Sequence, residues 1–263
     1  MKCRDIIEKL EQLSPKDYAC SWDNVGLLIG RKEKEIHTVM VALDASKEVV
    51  KAAVEAKVDM LITHHPMIFS AIKQVNEENF VSEKVLTLAE NGICYYAMHT
   101  NFDAVGGMAE LAAGEKFLAL TKTSPIEVSS EEGIGMGRYG NLPNPMTAAQ
   151  VCEYVKEKFN IPYVMLYQGK DNQDKVYERI AVMPGSGKSY QLPVMQNGYD
   201  LYLTGDFGHH EGIDAMDMGL TVIDATHYGL EHIFTSYMSS FLKESFGELE
   251  VIEVDAGCPA RVM

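Results

Sequence analysis

Val58-Asp59-Met60-Leu61-Ile62-Thr63-His64-His65 is a short apolar run that ends in two imidazoles, and it sets the reading of the whole chain. A run of this length predicts a β-strand, and the segment before it, from Ser46, predicts a helix with Ser46 as its N-cap. The same design returns at Ile93-Cys94-Tyr95-Tyr96-Ala97-Met98 before His99, and at Leu220-Thr221-Val222-Ile223-Asp224-Ala225-Thr226 before His227. It returns again at Leu201-Tyr202-Leu203-Thr204-Gly205-Asp206, ahead of His209-His210. Six of the 8 histidines therefore follow strand-like runs. In an open α/β sheet the carboxyl ends of the parallel strands share one edge, where ligands bind.

Working outward, strand-like and helix-like segments alternate. Thr38 to Leu43 is β-rich; a helix is expected around 81–90, and another from Gly106-Gly107 to about Leu118. Thr121 to Pro145, with Pro125, Pro143 and Pro145, reads as a connector holding one short strand. A helix from Thr147 to Phe159, strands near 163–168 and 178–183, a helix from about 229 and a strand from Leu249 to Val254 complete the pattern. The expected class is α/β, with mixed sheets flanked by helices.

The halves also resemble each other. Val41-Ala42-Leu43-Asp44 with its helix and the strand to His64-His65 parallels Val182-Met183-Pro184-Gly185 with its helix and the strand to Asp206. Asn91-Gly92 leading to His99 and Asp103 parallels Met218-Gly219 leading to His227 and Glu231. The expectation is two similar, duplicated lobes, 1–124 and 125–263, with a metal site in the cleft between them. The last helix and strand are free to pack back on the first lobe.

A net charge of −15 and a pI near 4.9 argue against broad binding to nucleic acid or to anionic membrane. The 5 cysteines are scattered and form no CxxC pair, which suits a reducing compartment. The amino terminus predicts an amphipathic helix with Ile6, Ile7, Leu10 and Leu13 on one face, and no apolar stretch is long enough to span a bilayer. A soluble cytoplasmic protein is expected.

Two neighbouring imidazoles at a strand end can serve two nearby metals, and His99 with Asp103 or His227 with Glu231 stand at i and i+4. Imidazole with carboxylate suits zinc, iron, manganese, cobalt or nickel. A single histidine in such a place is more simply a core imidazole bonded to a carbonyl; the joint pattern in both halves favours metal. His37 and His232 lack a strand-end position and are ordinary. His209-His210, at a helix start, is assigned to the substrate side or to a place behind the ligands. Met183-Pro184-Gly185-Ser186-Gly187-Lys188-Ser189 lacks the first glycine of a P-loop, because Val182 stands there, and is not a G-x-S-x-G elbow. It reads as a tight strand-to-helix turn. Trp22-Asp23-Asn24-Val25-Gly26 reads equally as a turn with a packed Trp22 and as the rim of the cleft.

Ser21-Trp22-Asp23-Asn24-Val25-Gly26-Leu27, Thr63-His64-His65-Pro66, His99-Thr100-Asn101-Phe102-Asp103 and Ala225-Thr226-His227-Tyr228-Gly229-Leu230-Glu231 together resemble the signatures of the Nif-three-like family, the GTP cyclohydrolase 1 type 2 homologues. The resemblance runs from about Ile6 to Val254, in the short form without an inserted middle domain. It implies a dinuclear metal site on His64, His65, Asp103, His227 and Glu231, with His99 as a further ligand or close neighbour, and a toroidal homohexamer.

The expected function is a metal-dependent hydrolase with two divalent transition-metal ions per subunit and metal-activated water, acting on a small-molecule, nucleotide-like substrate. His99 and His210 are the candidates for moving the proton. The alternative is a non-enzymatic metal-handling or regulatory hexamer.

Overall fold

The computed structural model describes residues 1–105, 107–128 and 134–263. The chain divides into two compact units, Met1–Val105 with Phe234–Met263, and Gly106–Ile233.

The first unit opens with helix α1 (Cys3–Leu13), which buries Cys3, Ile6, Ile7 and Leu10 at the spacing of one helical face. Strand β1 (Gly26–Ile29) follows, then β2 (Thr38–Ala42), α2 (Lys47–Glu55), β3 (Met60–Thr63), α3 (Phe80–Glu90), β4 (Cys94–Ala97) and the short α4 (Thr100–Ala104). Ser46 caps α2, its hydroxyl accepting from Val49 N, and Asn79 caps α3 in the same way. Strands β2, β3 and β4 are parallel, and every residue of β3 and β4 is buried. Burial on both faces is why these strands are apolar throughout instead of alternating. β1 runs antiparallel to β4 and was not expected from sequence.

Register carries the functional consequence. Ala42 pairs with Thr63, and Thr63 with Ala97, so the residues that follow β2, β3 and β4 leave the sheet at one level. Asp44, His64, His65 and His99 all follow these strand ends.

The second unit holds α5 (Met108–Ala113), β5 (Thr121–Ser124), β6 (Glu127–Val128), β7 (Gly135–Met136), β8 (Arg138–Thr147), α6 (Ala148–Phe159), β9 (Met165–Tyr167), β10 (Val176–Ser186), α7 (Gln191–Gln196), β11 (Leu201–Gly205), α8 (His209–Asp217), β12 (Thr221–Asp224) and α9 (His227–Glu231). Its main sheet runs β5-β8-β10-β11-β12-β9, with β10, β11 and β12 parallel and the others antiparallel to their neighbours. Ser186 pairs with Gly205, and Thr204 with Asp224, so Gly185, Asp206 and His227 lie around another strand-end edge.

The chain then returns to the first unit with α10 (Ile233–Ser245) and β13 (Glu250–Glu253), which adds parallel to β2. The first sheet thus reads β1-β4-β3-β2-β13. The fold is mixed α/β with two mixed sheets flanked by helices. Among the described residues no helix is long and apolar enough to cross a membrane.

Two expectations about local structure change. Residues 121–145 hold strands β5 to β7 and most of β8, where a connector with one strand was expected. β8 tolerates Pro143 and Pro145 because β5 pairs only with its 139–141 portion, and the register against β10 slips between Tyr177 and Arg179. Proline is accommodated where a strand lacks a neighbour or bulges. The helix expected from Gly106-Gly107 to Leu118 is only α5, and Gly106 lies outside the described residues.

At the opposite edge of the first sheet, Asp59 accepts from the amides of His37 (2.8 Å) and Thr38 (3.2 Å) and pairs with Lys34 Nζ (3.2 Å). Burial pushes its carboxyl up, but the two amides and Lys34 outweigh that and hold its pKa below the usual carboxylate range. Because the folded pKa is the lower one, this stabilisation is present above pH ~4 and fades as the pH falls. Asp59→Asn is expected to lower the urea midpoint at pH 7 by the equivalent of about 2 kcal/mol and to flatten the stability–pH curve in that acid range. An unchanged acid slope would contradict the assignment.

Gly185 has φ +73°, and a Cβ there would stand 2.6 Å from Glu231 Oε1. Gly185→Ala is therefore expected to destabilise the second unit by about 1–3 kcal/mol in the same assay, through backbone strain and displacement of that carboxylate. A wild-type midpoint would show that the close approach is not required.

Candidate metal centre

In the first unit, β3 delivers His64 and His65 in succession. The backbone behind them is pinned: Thr63 Oγ1 and the Tyr95 hydroxyl both donate to His65 O, at 2.8 and 3.0 Å. His64 is fully buried, and its Nδ1 lies 2.9 Å from Met98 O. His65 Nδ1 lies 2.8 Å from Asp44 Oδ1. β4 delivers His99, which stands just before α4 and whose Nδ1 lies 3.0 Å from Asp23 Oδ1. His64, His65 and His99 each offer a ring nitrogen within 4.8 Å of the other two. Asp103, one helical turn after His99, places Oδ1 3.5 Å from His64 Nε2.

Asp23 is the hub of this half. Its side chain is fully buried; Oδ1 takes His99 Nδ1 and Asn24 N, while Oδ2 takes the amide and hydroxyl of Thr100. Burial opposes its charge, but the hydrogen bonds from His99 and Thr100 prevail and hold its pKa at about 2. Asp23 is thus ionised at any physiological pH.

In the second unit, β12 delivers His227 as the first residue of α9, and Thr226 (φ 64°) caps that helix by accepting from Gly229 N. His227 Nδ1 lies 2.8 Å from Asp206 Oδ2, and its Nε2 lies 2.9 Å from Glu231 Oε2. Asp224 accepts from the amides of Phe207 (2.9 Å) and Thr226 (2.8 Å), which joins the loops that carry Asp206 and His227. Burial raises the Asp224 carboxyl, against the pull of these amides.

A common rule emerges from these contacts. All four imidazoles turn Nδ1 toward an oxygen acceptor: Met98 O, Asp44, Asp23 or Asp206. A carbonyl or carboxylate can only accept. His227 has a carboxylate at each nitrogen, Asp206 on Nδ1 and Glu231 on Nε2, whereas in His64, His65 and His99 Nδ1 carries the proton and in the neutral ring Nε2 presents its lone pair. That is the tautomer a metal-ligating histidine needs, with the carboxylate raising the ring's basicity. In both units a carboxylate faces the Nε2 of a histidine: Asp103 before His64 and Glu231 before His227. A lone pair opposite an anion calls for a cation, and the donor set of imidazole nitrogen and carboxylate oxygen suits a divalent transition metal.

Of the residues singled out from sequence, His64, His65, His99 and Asp103 lie together in the first unit, and His227 with Glu231 in the second. His210 is exposed on the first turn of α8, its ring edge-on to His209 at 5.2 Å, and belongs to no ligand group among the described residues. The Gly185-Ser186-Gly187 turn is packed: Gly187 N donates to Thr204 Oγ1 and Gly187 O accepts from the Tyr202 hydroxyl. Sequence reasoning missed the orienting roles of Asp23, Asp44 and Asp206. The signal was available for two of them, since Asp44 and Asp206 stand just past strand carboxyl ends as the histidines do.

Known proteins share this sequence and fold. The profile of Duf34/NIF3 (NGG1p interacting factor 3) matches residues 1–258. A Clostridium perfringens protein named GTP cyclohydrolase 1 type 2 homolog is 32% identical over 249 residues, covering 93% of this chain and 92% of its own. A Methanocaldococcus jannaschii protein of the same name is 34% identical over 257 residues, covering 97% and 100%. The crystal structure of Staphylococcus aureus hypothetical protein SA1388 superposes with a TM-score of 0.87 at 28% identity, covering 100% of this chain and 99% of that one. The chain belongs to the Duf34/NIF3 (NGG1p interacting factor 3) family.

Proposed function

We propose that this protein is a metal-dependent hydrolase that acts on a small, nucleotide-like substrate in the cytoplasm. In this reading His64, His65, Asp103, His227 and Glu231 hold two divalent ions of zinc, iron, manganese, cobalt or nickel. The two units are duplicated lobes that share the centre, and the chain assembles as a toroidal homohexamer. The observation that carries the reading is the set of four imidazoles with Nδ1 turned to an acceptor, two of which have a carboxylate facing Nε2.

Bound divalent ions supply Lewis acidity, polarising the substrate and lowering the pKa of water toward neutrality. The protein's own groups do the rest. Asp44 and Asp206 fix the rings of His65 and His227 and favour their donor tautomer. Asp23, held ionised, orients His99 through its Nδ1, which fits His99 to take up and return a proton. His210, exposed at the start of α8, is the second proton-carrying candidate. The relatives' name makes GTP the first substrate to try.

The test is a panel of phosphoesters and nucleoside triphosphates with protein loaded with Mn, Zn, Co or Fe. Turnover of at least one class is expected, and Asp206→Asn is expected to weaken metal binding by about 10–100-fold, read by competition with a chelating dye. If loaded protein turns over nothing, and His64→Ala and Glu231→Ala leave its behaviour unchanged, the enzyme reading fails and a metal-handling hexamer takes its place. Light scattering at six chain masses is expected; a monomer would remove the ring.

A further inference from the structure

Trp22 and Phe69 are 58% and 54% exposed, large aromatic surface left in water beside the imidazole group of the first unit. Their ring centroids stand 5.7 Å apart, and each meets His99 edge-on, at 6.1 and 6.5 Å. We infer that Trp22 and Phe69 form an aromatic platform on which a planar, ring-bearing substrate packs next to His99, an inference that rests on the metal-dependent reading of this site.

Three observations favour a small-molecule ring. First, the rings sit on fixed backbone. Asn24 Nδ2 donates to Ile68 O at 2.6 Å, tying the loop of Trp22 to the loop of Phe69. Asp23 N donates to Cys20 O, and the Asp23 carboxylate binds Thr100 and His99, so Trp22 is anchored to the start of α4. Second, two side chains are far less than the roughly 1,000 Å² that a specific protein interface needs. Third, the platform adjoins His99, so a ring packed on it lies beside the imidazoles. Offset and edge-to-face packing is what aromatic surfaces offer a heterocycle, and it tolerates the ring's identity.

Trp22 is the only tryptophan, so a fluorine label on it reports from one place. Protein carrying 5-fluorotryptophan is titrated with guanosine, cytidine and GTP, and with ribose 5-phosphate and inorganic triphosphate as ring-free probes, each with and without zinc. A saturable shift of the single 19F resonance is expected with the ring-bearing probes only. Phe69→Ala is expected to weaken their binding about tenfold, with Phe69→Tyr restoring it. The platform is overturned if no ring-bearing probe moves the resonance, if ring-free probes move it equally, or if Phe69→Ala binds as tightly as the parent. Should the ring-bearing probes bind as expected while zinc does not bind at all, the hydrolase reading falls and the platform stands.

Discussion

Everything at the two histidine groups, one in each unit, depends on which nitrogen of each imidazole is committed to the protein. His64, His65, His99 and His227 all turn Nδ1 to an oxygen that can only accept, at 2.8 to 3.0 Å. This fixes ring rotation, so Nε2 is aimed by the fold instead of by chance. Ligand preorganisation matters because a loosely held ring would lose rotamer freedom each time it bound an ion.

The sheets supply the aim. Strands β2, β3 and β4 end in register, so Asp44, His64, His65 and His99 leave the first sheet near one level. β11 and β12 do the same for Asp206 and His227 in the second. Three of the four acceptors are carboxylates set one or two residues past a strand end or in an adjoining loop, and the fourth is the carbonyl of Met98, directly after β4. Orientation is therefore a product of parallel pairing, and a slip of one residue in any of these strands would turn its histidine to the other face.

Much of this was legible in the sequence. The runs 60–63, 94–97 and 221–224 are strands, as their short, mainly apolar character predicted, and every residue in them is buried. The pairs His99-Asp103 and His227-Glu231 at i+4 each lie on one helical turn, α4 and α9, as spacing suggested. What stayed hidden is long-range. Asp23 is 76 positions from His99, and Asp44 is 21 from His65, so no local pattern links acceptor to ring. β8 was misjudged because its prolines read as loop, while the partner strand that makes them tolerable is visible only in three dimensions.

The most direct measurement is the protonation state of the rings themselves. Long-range 1H–15N NMR of uniformly 15N-labelled protein at neutral pH, before and after zinc addition, resolves each imidazole's tautomer. The account requires His64, His65, His99 and His227 to carry their proton on Nδ1, with the Nε2 signals of His64, His65 and His227 displaced by zinc while His37 stays unmoved. Protons on Nε2 in these rings, or Nε2 signals indifferent to metal, would contradict it.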